Sequence, residues 1–147
     1  MPDMNVARWS LLAAALAVAV TCAQQPAATP ASTFPNLSAP LAWELVRKNQ
    51  GRPDFVVLDV RTPAEFAAGH LPGAVNVDFH APDFEARLGK LDKNRSYLVY
   101  CRTGNRSGKA LVILERLGFS RGFHLQDGIA DWQRRGLPVE PPPAPTP

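Results

Sequence analysis

Cysteine is nearly missing from this sequence: Cys22 and Cys101 are the 2 among 147 residues. Two cysteines cannot build a disulfide-dense scaffold or a Cys-rich zinc site. No apolar run has the length of a comfortable membrane span. Charge of one sign is not massed anywhere: 16 Lys+Arg against 13 Asp+Glu leave a mild +3, with the basic residues scattered. That pattern argues against nucleic acid as a partner. Proline is scarce in the middle of the chain, where only Pro53, Pro63, Pro72 and Pro82 fall between Pro40 and Pro138. There is no internal repeat. The length leaves room for one domain of ordinary size. With 46% hydrophobic and 20% charged residues, the chain is too apolar for a disordered polyelectrolyte.

The two ends differ in kind from the middle. Arg8 precedes an unbroken stretch of apolar and small residues from Trp9 to Val20. The stretch is short for a bilayer and suits the apolar region of a secretory signal. Thr21 and Ala23 are small residues at the positions a signal peptidase reads, so residues 1–23 are expected to be a signal peptide cut after Ala23. An uncut N-terminal anchor is the competing expectation. Cys22 opens a third outcome, a lipoprotein signal in which Cys22 carries lipid and becomes the first mature residue. Ala19, Val20 and Thr21 depart from the usual Leu, small, Gly/Ala pattern of such signals. Export to a bacterial periplasm or cell envelope follows from either processed form. In a processed chain, a lipid on Cys22 would be the sole link to the membrane. Residues 24–36, rich in Ala, Pro and Thr, have no periodicity and are expected to be a flexible tether. Residues 141–147 are expected to be a proline-rich, frayed tail.

The stretch between, residues 37–140, alternates helix and strand signals. Ser38 can cap a helix from Ala39 to about Asn49, with Leu41, Leu45 and Val46 on one face. Phe55 to Leu58 is a continuous apolar run ending at Asp59, the mark of a strand buried on both faces. Thr62-Pro63-Ala64-Glu65 spells a capping box with proline at the first helical position. Ala74 to Val77 and Tyr97 to Tyr100 read as further strands, and Asp83 to Leu88 as a helical turn. Ser107 to Leu117 is a strong helix with Leu111, Leu114 and Leu117 on one stripe and Gly118 as its stop. Gly122 to Leu125 is a short strand, and Ile129 to Arg135 a last helix packing Ile129 and Trp132. This order predicts an α/β fold in three layers, a mostly parallel central sheet covered by helices on both faces.

The chemistry concentrates in Cys101-Arg102-Thr103-Gly104-Asn105-Arg106-Ser107, between a buried strand and a strong helix. Ligands of α/β sheets gather at the carboxyl ends of strands. A cysteine there faces the backbone N–H groups of the loop and the helix N-terminus, which together form an anion cradle. Arg102 and Arg106 add positive charge, and the same field favours thiolate over thiol at Cys101. A nucleophilic sulfur inside an anion site is the local expectation. Two bland alternatives stand beside it. Cys101 as a small buried hydrophobe needs no arginines or glycine loop nearby. A Cys22–Cys101 disulfide is lost if Cys22 is removed or lipidated, which leaves one exported free thiol.

The chain resembles a rhodanese-like single-domain sulfurtransferase from about Leu37 to Pro138. The resemblance rests on Leu58-Asp59-Val60-Arg61 followed by Pro63, Glu65 and Phe66, and on Gly69-His70-Leu71-Pro72-Gly73-Ala74. The cysteine loop and Gly128 followed by Trp132 complete it. Asp127-Gly128 stands where the family often has Gly-Gly, which brings a carboxylate near the anion site. The resemblance implies that Cys101 carries transferred sulfur as a persulfide. It implies that the amides of Arg102, Thr103, Gly104, Asn105, Arg106 and Ser107 cradle the sulfur and the incoming anion, with Arg102 and Arg106 attracting its sulfonate. Asp59 and Arg61 would brace the loop. His70 is better read as a structural residue satisfied by hydrogen bonds than as a general base.

The implied reaction moves sulfane sulfur from thiosulfate or a similar donor to a thiol or cyanide, or to an acceptor protein. It requires no metal and no organic cofactor. Three rivals come from other classes. Cysteine-dependent phosphatases place five residues between Cys and Arg; here four separate Cys101 from Arg106, which crowds a tetrahedral phosphate. Rhodanese-like domains also serve as non-catalytic binding modules or sulfur carriers for a partner, and the intact cysteine loop separates this chain from the usual binding module. Redox buffering by Cys101 lacks a second mature cysteine for a disulfide cycle.

Overall fold

The computed structural model describes residues 31–140. The expected signal peptide, Cys22 and the tail at 141–147 lie outside the described residues. Among the described residues, five strands form one parallel sheet in the order β1-β5-β4-β2-β3. They are β1 (Asn36–Leu37), β2 (Phe55–Asp59), β3 (Val75–Asn76), β4 (Ser96–Tyr100) and β5 (Gly122–Leu125). Between and after them run α1 (Ala39–Lys48), α2 (Pro63–Ala67), α3 (Phe84–Gly89), α4 (Asn105–Arg116) and α5 (Gly128–Arg134).

The period of two along β4 divides the core. Tyr97, Val99 and, past the strand end, Cys101 join Leu58, Phe84, Leu88, Leu111 and Leu114 on the side of α3 and α4. Leu98 and Tyr100 join Val57, Ala42, Val46, Ile129 and Trp132 on the side of α1 and α5. Strands β2 and β4 are therefore apolar on both faces, as a parallel sheet in a three-layer fold requires. The same alternation aims the Cys101 side chain at the face on which α4 begins.

Local signals explain several boundaries. The Thr62 side chain accepts from the Glu65 amide at 3.3 Å while Glu65 Oε2 accepts from the Thr62 amide at 3.0 Å, a complete capping box. Ser38 precedes α1 as expected but makes no side-chain cap bond; Pro40 in the first turn removes one of the orphan donors instead. Leu41, expected on the buried face of α1, is 60% exposed, and the helix buries Ala39, Ala42 and Val46. The small residues bring the helix close to the sheet and α5, which rotates Leu41 outward.

The sequence reading has no strand before α1, yet Asn36 and Leu37 pair with His124 and Leu125 of β5. The residues just ahead, placed in the tether from sequence, are docked as well. Thr33 donates from both its amide and its hydroxyl to Glu115, the amide at 2.7 Å. Phe34 packs against the core beside Gly122, where a Cβ would stand 2.9 Å from its ring.

Candidate active site

Cys101 follows β4 directly, and its side chain is buried with 1% exposure. The Gly104 amide donates to Cys101 Sγ at 3.1 Å, and the Ser107 hydroxyl lies 3.4 Å from the same sulfur. Burial by itself pushes the thiol up. Bonds from the Ser107 hydroxyl and from the amides of Ser107, Thr103 and Gly104 outweigh it and hold Cys101 below the ordinary thiol value. The sulfur therefore sits as an anion would, at the N-terminus of the twelve-residue α4.

Two glycines allow the loop to close. Gly104 has φ +93°, and a Cβ there would lie 1.9 Å from the Gln126 carbonyl oxygen. Gly128 has φ +63°, and a Cβ there would lie 2.3 Å from the Arg102 oxygen and 2.6 Å from the Cys101 oxygen. The start of α5 thus lies against the cysteine loop, and its amides hold the loop carbonyls. Ile129 donates to Cys101 O at 2.9 Å and Ala130 to Arg102 O at 3.1 Å. Asp127 precedes α5 without a side-chain cap bond.

The expected bracing residues occupy the end of β2. Asp59 is fully buried and Arg61 nearly so. The Arg61 guanidinium donates to Asp59 Oδ2 at 2.6 Å and to the Gly69 carbonyl at 2.7 Å, and lies 5.6 Å from the Tyr100 ring centroid. Asn76 donates to the carbonyls of Asp59 and Arg61, tying β3 to this corner. His70 has the structural role expected of it. Its ring stacks on Phe66 at 3.9 Å, with Nδ1 3.0 Å from the Phe66 carbonyl and Nε2 3.2 Å from Glu140 Oε2.

Arg106 differs from its sequence-based role. Both of its terminal nitrogens donate to Glu65 at 2.8 Å, a two-point pair joining α4 to α2. Bonds from Arg106 hold the Glu65 carboxyl down, with the Thr62 bonds adding to them against burial, at about 2. Arg106 therefore sets the loop's position, and its charge is largely matched by Glu65. Arg102, Thr103 and Asn105 are exposed on the loop, and Ser107 is fully buried beneath it. A cleft of about 400 Å³ adjoins the loop and is bounded by Arg61, Glu65, Gly69, Arg102 and Gln133. Arg102 is the loop arginine that faces it.

Sequence reasoning missed two residues at this site. His124 of β5 lies 2.8 Å from the Ser107 hydroxyl through Nε2, and its Nδ1 lies 2.8 Å from Asn36 Oδ1. A polar, titratable residue between Phe123 and Leu125 in an apolar strand was the available signal. Glu65, read from sequence as a helix cap and a motif residue but not as a partner of Arg106, is the second.

The fold and the site define a class: a parallel α/β domain with a buried cysteine in an amide-lined loop at the carboxyl end of its central strand. Residues 42–135 match the Rhodanese-like domain family, and the chain belongs to that family. A sulfurtransferase of Allochromatium vinosum is 38% identical over 89 residues, covering 60% of this chain and 81% of the relative. The thiosulfate sulfurtransferase GlpE of Pseudomonas putida is 37% identical over 110 residues, covering 74% of this chain and 93% of the relative. Among solved structures, a rhodanese-like domain from Anabaena is 30% identical with a TM-score of 0.62, covering 77% of this chain and 84% of that one.

Proposed function

We propose that the protein is a sulfurtransferase of the thiosulfate type that carries sulfur on Cys101. The observation that carries this reading is the Cys101 sulfur held by the Gly104 amide and the Ser107 hydroxyl, with its pKa lowered despite burial. The Cys101 thiolate attacks the outer sulfur of thiosulfate. The sulfur–sulfur bond of the donor breaks, its electron pair leaves with sulfite, and Cys101 becomes a persulfide. Cyanide or a thiolate then attacks the terminal sulfur, forming thiocyanate or a new persulfide and returning the Cys101 thiolate. This is covalent catalysis in two half-reactions, with ping-pong kinetics. The loop amides stabilise the sulfur anion in both steps, and Arg102 on the adjoining cleft supplies the charge that attracts a sulfonate.

Relatives named for sulfurtransferase and thiosulfate sulfurtransferase activity support the reading. The test is thiocyanate formation from thiosulfate and cyanide, with Cys101→Ser alongside. Rapid turnover by the parent and none by the variant is expected. Full activity in Cys101→Ser would end this mechanism. Loading of Cys101 with sulfur by intact mass, without turnover, would make the protein a carrier for an acceptor protein. Export to the periplasm or envelope is part of the same proposal and rests on Arg8 and the Trp9 to Val20 run. The expected result is a mature chain beginning at Gln24 or at a lipid-bearing Cys22, read by intact mass of the protein recovered from cells.

A further inference from the structure

Four side chains form an unbroken line from the reactive sulfur to the first strand. Cys101 Sγ lies 3.4 Å from Ser107 Oγ, Ser107 Oγ 2.8 Å from His124 Nε2, and His124 Nδ1 2.8 Å from Asn36 Oδ1. The Asn36 oxygen can only accept, so Nδ1 carries the imidazole proton and Nε2 presents a lone pair to Ser107. The hydroxyl has one proton and faces three acceptors. The Gly104 carbonyl, 3.1 Å away, already accepts from the Gly108 amide at 2.9 Å. The shortest contact is the one to His124.

From this geometry we propose that His124 is a positioning residue for the Cys101 nucleophile, acting through Ser107 as the resting place of the thiol proton. The proposal rests on Cys101 being the nucleophile assigned above. With the thiol protonated, it donates to Ser107 Oγ, Ser107 donates to Nε2, and Nδ1–H donates to Asn36; the Ser107 bond to Sγ described above belongs to the thiolate form. On activation the Cys101 proton passes to Ser107 Oγ while the Ser107 proton passes to Nε2. The products are a thiolate and an imidazolium. Every group still has a partner: Nε2–H donates to Ser107, Ser107 to Sγ, and Nδ1–H to Asn36. No bond is broken except S–H and O–H, no electrons change hands, and no outside base is needed.

The groups around His124 suit an imidazole that is neutral at rest. Burial holds it below the ordinary imidazole value, against the Gly104 carbonyl and the charge of Asp127, both of which raise it. From α4, Lys109 and Asn105 share a cavity with the His124 ring, together with Asn36 of β1 and Gln126 after β5. Asp127 favours the imidazolium, and Lys109 is the cation that lines the same cavity. The relay also gives the docking of residues 32–36 a purpose, because that segment brings Asn36 behind the ring.

The test reads the Cys101 thiol without any sulfur donor. Full-length protein is alkylated with iodoacetamide across a pH series, and the peptide bearing Cys101 is quantified by mass spectrometry. In His124→Gln, which keeps an acceptor toward Ser107 but cannot take a proton, the Cys101 inflection should rise by about one pH unit. The alkylation rate below that inflection should fall about tenfold. The Ser107→Ala and His124→Gln double variant should shift no further than Ser107→Ala alone, because His124 acts through the hydroxyl. Asn36→Asp, which puts a carboxylate behind Nδ1, should move the inflection down. A folded His124→Gln whose profile superimposes on the parent overturns the proposal. If that variant does not fold, an unmoved inflection in Asn36→Asp overturns it. Shifted profiles in a protein without thiosulfate turnover would leave this relay standing and remove only the sulfurtransferase reading.

Discussion

Replacing Gly128 by alanine tests how the last helix holds the cysteine loop. At φ +63° a side chain costs roughly 1–2 kcal/mol in backbone conformation. The added Cβ would also meet the carbonyl carbon and oxygen of Arg102 at 2.4 and 2.3 Å and the Cys101 oxygen at 2.6 Å. These are backbone atoms, so no side chain can swing aside; relieving such overpacking costs about 1–3 kcal/mol. The two effects together predict a loss of about 2–5 kcal/mol, a melting-temperature drop of about 8–20 °C for a domain of this size. The damage should also reach the sulfur. Separating α5 from the loop stretches the bonds from Ile129 and Ala130 to the Cys101 and Arg102 carbonyls. Thermal unfolding by circular dichroism and the alkylation rate of Cys101 measure the two effects. Gly89→Ala is the control, since nothing lies within 4 Å of its Cβ and its φ is not positive; it should be neutral or gain up to about 1 kcal/mol. A Gly128→Ala melting temperature within about 2 °C of the parent, with unchanged alkylation, would refute the close-approach argument.

Other outcomes follow from the pairs beneath the loop. Asp59→Asn leaves the buried Arg61 guanidinium without its carboxylate, and denaturant unfolding should show a loss of about 3–5 kcal/mol. Glu65 has a folded pKa of about 2 against 4.5. A depressed carboxyl stabilises the fold above the unfolded pKa and loses that contribution as pH falls through the folded one. The parent should therefore lose up to about 3 kcal/mol between pH 4.5 and 2, and Glu65→Gln should lack that acid-dependent part, as urea unfolding against pH will show. Leu41→Gln should change stability by no more than about 0.5 kcal/mol in the same assay, because Leu41 is exposed.

The sequence by itself determined whatever depends on neighbours along the chain. The continuous apolar runs of β2 and β4, the Thr62 capping box and the helix after the cysteine each carry a local signature and each is present, the helix starting at Asn105, two residues before the expected Ser107. Cys101 was legible for the same reason: a cysteine, a glycine and a helix start within seven residues already make an anion cradle. The family motifs also singled out Asp59, Arg61 and His70, the first two paired with each other and the third bonded to Phe66 and Glu140. Tertiary structure alone decided which polar groups meet. Arg106 pairs with Glu65 across 41 positions, so its charge braces the loop. Asn36 meets His124 across 88 positions, and His124 meets Ser107 across 17. Two-residue β1 is too short to announce itself, and it exists because β5 offers an edge for it to pair with. Leu41 turned outward because packing at Ala39 and Ala42 set the rotation of α1, which the helical period leaves open to more than one choice. Periodicity and capping are properties of adjacent residues. Charge pairing, edge pairing and helix rotation depend on which distant surfaces the folded sheet brings together.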